Sequence, residues 1–468
     1  MEQQNSKGQW GSRFGFLMAA VGSAVGLGNL WGFPYKMGKA GGFAFLVIYL
    51  VLVCLVGVVI MLSELALGRK SGKGVIAAYA SLGEKYTVIG WFGWISPLLI
   101  LGFYSMLGGY CIKYAVANLG DLFGASWGIG AQNSGDYFGN FIVNQPQTVC
   151  FTLIFVILTT LIVMFGVSSG IEKFSTVAMP ALFFMLVIVI IRSVTLPGAG
   201  AGLEFMFKPN WEVFNGTGWI TVLAIAGGQM FFSLSLGMGI MVTYGSYMKK
   251  DSDLQQSALI IPIADTIIAV MAGLAIMPAV FAKGLEPKQG PGLLFIILQS
   301  VFQDMGKFGP LFGFIFFLLV FIAAITSSIS LFEAVGSTVM DRMEAKGKKI
   351  NRKKVTWGVA IFVMVEGALV ALDGLGSHGF PKFLGQPTLL DSFDLVSEGV
   401  LMPLGALLTA IIFGWIKPEY LYKEIGNGNP NFKLRSFYHF CIKWIVPPIM
   451  VLVLVGQIDS FFGLNIFS

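Results

Sequence analysis

Apolar residues run through this chain in long unbroken stretches rather than in the alternating or one-faced stripes of a soluble core. Eleven stretches approach or exceed the roughly 20 residues that cross a bilayer's hydrocarbon. They fall at about 14–37, 42–68, 88–118, 148–166, 172–194, 217–247, 255–282, 308–340, 355–372, 390–416 and 441–461. Each predicts a transmembrane helix, and those longer than a simple crossing imply tilt or extension beyond the membrane. Two are interrupted. The first carries Ser23-Ala-Val-Gly26-Leu-Gly28-Asn29 and the sixth carries Ser233-Leu-Ser235-Leu-Gly237-Met238-Gly239. Backbone in lipid must satisfy its own hydrogen bonds, so unwound chain survives only where it lines a cavity within the protein. Broken spans in corresponding positions of two halves are the mark of a binding site at mid-membrane. The same glycines also suit close helix packing, which leaves a second reading open.

Composition agrees with the pattern. The chain is 56% hydrophobic and 12% charged, with a mean hydropathy of +0.80, whereas soluble domains run near 25% charged. One intramembrane unit over 1–468 fits better than several soluble domains. The net charge of +6 does not point to nucleic acid, because the basic residues sit in short loops between spans, where they set orientation. With the N-terminus inside, cytoplasmic segments hold 21 of the 30 Lys and Arg, seven of them in 342–354, while 121–147 holds none. That predicts a cytoplasmic N-terminus and, with eleven spans, an extracellular C-terminus. The apolar run after Lys7 and Arg13 continues to Phe33 without a cleavage signal, so it reads as a retained first span. Cys54, Cys111, Cys150 and Cys441 lack metal-type spacing, and His378 and His439 are far apart, so no metal centre of that type is expected.

Spans one to five (14–194) and six to ten (217–416) each open with a broken helix, as two inverted repeats would, and the eleventh (441–461) lies outside the pair. Two predicted outer segments are long. Residues 121–147 read as polar and irregular. Within 283–307, Gly290-Pro291-Gly292 precedes Leu293-Leu-Phe-Ile-Ile-Leu298, which predicts a turn and a short apolar helix, either a lid or a loop packed on the bundle. Unwinding at Val25–Gly28 frees amides suited to a carboxylate and carbonyls suited to a cation, and Asn29, Ser233 and Ser235 add side-chain oxygens. One amino acid needs both poles. Asp265, within Ile260-Ile-Pro-Ile-Ala-Asp265-Thr-Ile-Ile-Ala-Val, is an intramembrane carboxylate and functional by default.

These motifs resemble a known family. Ser23-Ala-Val-Gly-Leu-Gly-Asn29-Leu-Trp-Gly-Phe-Pro34 resembles the first-span signature of the neurotransmitter:sodium symporters. Gly228-Gln229-Met-Phe-Phe232-Ser233-Leu-Ser-Leu-Gly237-Met-Gly239 resembles their sixth-span signature, Ala323-Ala-Ile-Thr326-Ser327-Ser328 their eighth, and Glu64-Leu-Ala-Leu-Gly68-Arg69 the end of their second. The landmarks run in family order from residue 10 to about 415. The resemblance implies an all-α polytopic membrane protein of the LeuT type, a 5+5 inverted repeat plus an eleventh transmembrane helix. It implies sodium-coupled import of an amino acid across a bacterial plasma membrane.

The resemblance also implies roles. One sodium site would use Ala24, Asn29, Ser233, Asp265 and the substrate carboxylate; a second would use Gly22, Val25, Ala323, Thr326 and Ser327. Both are oxygen sites suited to a hard cation, although Thr326 and Ser327 are also free to bond their own helix's preceding turn. The substrate would meet Ser23, Ala24, Leu27, Gly28, Ile100, Tyr104, Phe232, Ser233, Ser235, Met238, Ser327 and Leu331. No charged side chain is among them, which favours a hydrophobic amino acid, and Met238 between two glycines resembles members that accept bulky aliphatic and aromatic ones. Asp265 matches the place where animal members hold a neutral Asn beside chloride, with Tyr49, Gln229 and Ser233 around it. Its fixed charge would replace chloride, since opposite charges about 4 Å apart gain roughly 4 kcal/mol at an effective dielectric near 20. Proton counter-transport by the same carboxylate is a further expectation; the alternative is an Asp that merely ties helices together.

For the gates, Tyr104 and Phe232 would close over the substrate. The family's outer arginine is replaced by Gly32, so Lys36, one turn on, is the candidate partner of Asp394, against a lysine simply solvated there. Inside, Lys7 with Asp341 resembles the family's latch. Gly170 and Pro180 match a Gly-x9-Pro segment whose unwinding opens a water path in the family. The missing arginine keeps a substrate-gated channel or a non-transporting amino-acid receptor open as the alternative. An enzyme has no support in the motifs: HExxH and GxSxG are lacking. Expected partners are an amino acid, two sodium ions and the lipid bilayer, with no nucleic acid, in a monomer or weak dimer.

Overall fold

The computed structural model describes residues 9–285, 287, 290–381, 383–426, 434–464 and 466, and within them the chain is helical with no strand. Nine helices are long and apolar enough to cross a membrane among these residues. They are Phe43–Ser71, Glu84–Leu122, Gln145–Val163, Val167–Val194, Leu254–Ala282, Gly306–Ala345, Arg352–Asp373, Leu389–Ile416 and Arg435–Phe462. A tenth is the bent pair Arg13–Ala24 and Gly28–Lys39, whose halves meet at 42°. The expected sixth span is built from Gly218–Ser233 and Ile240–Ser246, each too short to cross alone.

Local chemistry places the helix starts. Asn144, Asp253 and Asn351 each stand just before a span and accept a hydrogen bond from the backbone N–H three residues on. Pro97, Pro180, Pro262 and Pro278 lie inside helices, where each removes one hydrogen bond without ending the span. Glycines serve both readings left open above. Gly68 and Gly245 bring the second span against Ile240–Ser246 so closely that a methyl group at Gly68 would lie 1.9 Å from the Val242 carbonyl. Gly237 and Gly239 instead take left-handed backbone, φ +74° and +70°, together with Ser235 at +55°. Those three residues turn the chain out of its helix.

Phe43–Ser71 and Glu84–Leu122 are largely buried and form the centre, with Glu84–Leu122 packed along Gly306–Ala345. Val167–Val194 turns Val177, Phe184 and Ile191 outward to where lipid would lie. Leu293–Gln303 is the expected short apolar helix, and Phe295 stacks on Phe138 and Phe317. The segment 121–147 is not irregular throughout. Asn133 caps a helix, Ser134–Ile142, which buries Tyr137, Phe138 and Phe141 on one face. Three of its nine residues are aromatic and fall at helical spacing, a pattern shorter than any membrane-span signal. Gly-x9-Pro does not unwind the chain here; Val167–Glu172 is a π-helical turn continuous with Lys173–Val194.

Candidate functional site

The two breaks face each other. The first helix ends at Ala24, Val25 leaves helical backbone at ψ 100°, and helix resumes at Gly28. The second break runs from Leu234 to Gly239 between its own half-helices. Ser23 and Ser235 join them: their hydroxyls lie 3.2 Å apart, and the Ser235 hydroxyl donates to the Ser23 carbonyl at 3.1 Å. Glu64, buried on the second span, accepts the Gly237 amide at 2.8 Å and so holds the second break in place.

Between the breaks lies a cavity of about 20 Å³ lined by Ser23, Ala24, Gly26, Gly28, Ile100, Tyr104, Phe232, Ser235, Met238, Ser327 and Leu331. Ten of these are residues expected from sequence to meet the substrate; Gly26 is the addition. A methyl group on Gly26 would lie 2.2 Å from the Ser327 hydroxyl and 2.5 Å from that of Tyr104, so nothing larger than hydrogen fits there. Of the other expected contacts, Leu27 presents its backbone N–H, which donates to the Tyr104 hydroxyl at 3.0 Å. Ser233 faces away from the cavity to Asp265. The volume is about that of one water molecule, so an amino acid would enter only as Phe232, Met238 and the aliphatic wall move.

Asp265 is fully buried and lies behind the cavity wall, on the far side of Ser233. Its carboxylate accepts from Asn29 Nδ2 at 2.7 Å, from the Ser233 hydroxyl at 3.0 Å to each oxygen, and from the Tyr49 hydroxyl at 3.2 Å. Asn29 turns its own oxygen to the Gly26 amide at 3.0 Å, and Gln229 donates to the Gly28 carbonyl at 2.7 Å. Of the residues expected at the first sodium site, Asn29 and Ser233 thus both bond Asp265, and Ala24 makes no such contact. For the second set, the Ser327 hydroxyl reaches the carbonyls of Gly22, Ser23 and Val25 at 3.3, 3.0 and 3.4 Å. Thr326 bonds the Ala323 carbonyl at 2.9 Å and that of Ile322 at 3.1 Å, within its own helix. Local back-bonding therefore holds for Thr326 and fails for Ser327, which bridges to the first span. These donors are carbonyls, hydroxyls and one carboxylate, and among the described residues no cluster of His, Cys, Asp or Glu forms a transition-metal site.

On the predicted outer side a second cavity of about 390 Å³ includes Gly32, Tyr35, Lys36, Gln229, Phe232, Asp391, Asp394, Glu398, Gln457 and Phe461. Phe232 lines both cavities and divides them. The expected Lys36–Asp394 pair is corrected here: the Lys36 ammonium binds Glu398, one turn beyond Asp394 and almost fully buried. Asp394 lies against Glu398 as its hydrogen-bond partner, so the ammonium meets the two carboxylates through Glu398. A Cβ at Gly32 would meet Gln229 Oε1 at 2.9 Å, so a larger residue there requires the Gln229 side chain to shift.

On the predicted inner side the route is sealed. Trp10 is buried edge-on against Phe16, Tyr244 and Tyr247, and its indole N–H donates to the Tyr244 carbonyl at 3.1 Å. Glu172 accepts from the amides of Gly11 and Ser12 at 2.7 and 3.0 Å and from the Ser12 hydroxyl at 2.8 Å. Lys7 lies outside the described residues, so its expected latch with Asp341 does too; the Asp341 carboxylate accepts the Gly74 amide. Trp10, Glu172, Glu398 and Gln457 were not among the sequence candidates.

The comparisons with known proteins agree with this geometry. A sequence model described as "Sodium:neurotransmitter symporter family" matches residues 7–128 and 140–466. An uncharacterized sodium-dependent transporter of Bacillus subtilis is 37% identical over 461 residues, 96% of this chain and 97% of that one. One of Haemophilus influenzae is 31% identical over 459 residues, 96% and 98% of the two chains. The crystal structure of MhsT in complex with L-phenylalanine superposes with a TM-score of 0.88 at 34% identity, over 97% of this chain and 100% of that one.

Proposed function

The chain belongs to the sodium:neurotransmitter symporter family, and from that premise we propose that it imports hydrophobic amino acids, aliphatic or aromatic, by sodium-coupled alternating access without a need for chloride. The observation that carries this is the meeting of two broken helices around one small cavity, with Asp265 bonded to Asn29 and Ser233 beside the breaks. A substrate carboxylate would take the amides of the first break in exchange for their present bonds to Asn29 and Tyr104, and carbonyls of both breaks suit its ammonium. One sodium ion would sit among Ala24, Asn29, Ser233, Asp265 and that carboxylate. A second would sit among Gly22, Val25, Ala323, Thr326 and Ser327. The first shares the substrate's own charge, which couples the two bindings directly.

The side-chain end of the cavity is Ile100, Phe232, Met238 and Leu331, which favours apolar substrates. The relative solved with L-phenylalanine supports the same class. Asp265 already places a negative charge beside the first sodium set, which supports independence from chloride. The loop charges support a cytoplasmic N-terminus in the plasma membrane, and the two half-helices of the sixth segment would complete eleven crossings, leaving the C-terminus outside. The Lys36–Glu398 contact closes the leak that a missing outer arginine invites, which favours a transporter over a channel. The test is binding of each of the twenty amino acids to purified protein with and without sodium. Sodium-dependent binding confined to apolar members is expected; binding unaffected by sodium, or confined to charged amino acids, would reject the reading.

A further inference from the structure

The predicted inner end holds a further cavity, of about 270 Å³, that the transport reading leaves unused. Its walls include Ile76 on the loop helix Val75–Ala80, Trp91 and Trp94 near the start of Glu84–Leu122, and Arg342, Lys346 and Lys348 at the end of Gly306–Ala345 and just beyond it. The two indoles meet edge-on at 5.6 Å, and the Trp94 N–H donates to the Val335 carbonyl at 3.3 Å, which fixes that ring. The Arg342 guanidinium lies 4.3 Å from the centre of the Trp91 ring. Arg342, Lys346 and Lys348 are exposed, and among the described residues none of the three pairs with a carboxylate. Of the acids nearest in sequence, Asp341 accepts the Gly74 amide, and neither it nor Glu344 lines the cavity. Three cations without a counter-charge beside an aromatic wall suit an anion that carries an apolar part.

Depth identifies the anion. The cavity between the two breaks marks mid-membrane, and Ser327 and Ile100 line it. At 1.5 Å per residue, Arg342 stands about 22 Å along its helix from Ser327, and Trp91 about 14 Å along its helix from Ile100. The hydrocarbon core reaches about 15 Å from the midplane. The indoles therefore sit at its edge and the cations in the headgroup layer, the places such side chains take at a membrane surface. Val88, one turn before Trp91, is 48% exposed, so this helix meets lipid beside the cavity. We propose that the cavity binds one anionic phospholipid of the inner leaflet. Its phosphate lies among Arg342, Lys346 and Lys348, and the first carbons of its chains lie against Trp91, Trp94 and Ile76. A soluble phosphate would gain nothing from the indole wall. The site depends on the membrane orientation read from loop charge, and not on which substrate is carried.

The experiment titrates the full chain, stripped of lipid in a neutral detergent, with phosphatidylglycerol, phosphatidylcholine or glycerol phosphate, and counts bound molecules by native mass spectrometry. One phosphatidylglycerol is expected to bind about tenfold or more tighter than phosphatidylcholine, with glycerol phosphate not retained. Arg342→Gln/Lys346→Gln should weaken that binding about 30-fold, because two basic side chains leave the headgroup. Lys353→Gln/Lys354→Gln, also exposed but outside the cavity, should leave it unchanged. Equal binding of the two lipids, or an equal loss in both double variants, overturns the site. Retention of glycerol phosphate with the affinity of the lipid overturns the lipid as its occupant. Position is read with phosphatidylglycerol brominated on its acyl chains, at one lipid per chain. The quenched fraction of tryptophan emission should be smaller in Trp91→Phe than in the parent, and an equal or larger fraction overturns the placement. Both double variants keep the indole wall, and a thermal midpoint equal to that of the parent shows that each is folded.

Discussion

At the scale of single residues, the site is constrained by two groups that work for opposite reasons. Gly26 matters for what it lacks. With Ser327 and Tyr104 hydroxyls 2.2 and 2.5 Å from where a Cβ would stand, Gly26→Ala forces both oxygens out of position. They are the hydroxyls proposed to stand beside the substrate carboxylate and in the second sodium set. Sodium-dependent amino-acid binding should weaken about 100-fold or more, since misplacement of a site by about 1 Å is worth that much. Wild-type affinity in a titration of the purified variant would refute the assignment. Asp265 matters for the charge it supplies. Four hydrogen bonds from three residues hold its carboxylate where the first sodium ion is proposed to bind. Uptake should persist when chloride is replaced by gluconate. Asp265→Asn keeps the shape and removes the charge, so its uptake should fall about tenfold or more in gluconate and recover in part with chloride. Uptake by the variant that ignores chloride, or a chloride requirement in the parent, would sink the idea that this side chain replaces the anion.

Among elements, the second break depends on an anchor on another span. Ser235, Gly237 and Gly239 turn the chain with left-handed backbone, and the Gly237 amide would lie buried and unpaired without Glu64 Oε1 at 2.8 Å. Glu64→Ala leaves that amide orphaned and opens a hole in the second span. The loss should be about 1–3 kcal/mol from the amide alone, seen as a lowered midpoint of thermal unfolding in detergent; an unshifted midpoint would contradict the anchoring role. The breaks themselves were readable in sequence, because glycine pairs inside apolar runs conflict with helix and lipid together. Asp265 stood out as a carboxylate inside an apolar run, whereas the lining residues on other spans, such as Ile100, Tyr104 and Leu331, were reached only through the family motifs. Ser134–Ile142 and Gly200–Phe207 were not readable, because eight or nine residues give too short a period to distinguish from loop. Nor was Glu398 as the partner of Lys36. The two are 362 positions apart, and nothing in the sequence distinguishes Glu398 from Asp394, one helical turn away on the same span, as the residue that takes the ammonium.

For the whole molecule, the two ends of the bundle differ: a cavity of about 390 Å³ opens above Phe232 on the predicted outer side, while the predicted inner end is closed by Trp10 and Glu172. Alternating access needs that closure to be reversible, and so held by few contacts. Trp10 supplies most of them, three edge-on ring contacts within 6.2 Å and an indole hydrogen bond to the Tyr244 carbonyl. Tyr247 continues the seal by donating to Glu333 at 2.6 Å, and Glu333 pairs with Arg352. Truncating a buried Trp typically removes about 3–5 kcal/mol. These contacts exist only while the inner end is shut, so most of that loss acts on the conformational equilibrium rather than on folding. Even about 2 kcal/mol of it changes the population ratio up to about 30-fold. Sodium binding favours the inner-closed form in the proposed cycle, so Trp10→Ala should demand more sodium to reach half-maximal amino-acid binding, by about tenfold. It should also speed efflux from preloaded proteoliposomes and lower the accumulation ratio. At saturating sodium the binding capacity should return to that of the parent, which separates a shifted gate from a misfolded protein. An unchanged sodium midpoint, with efflux as slow as in the parent, would mean that the N-terminal seal is structural and that the inner gate lies elsewhere.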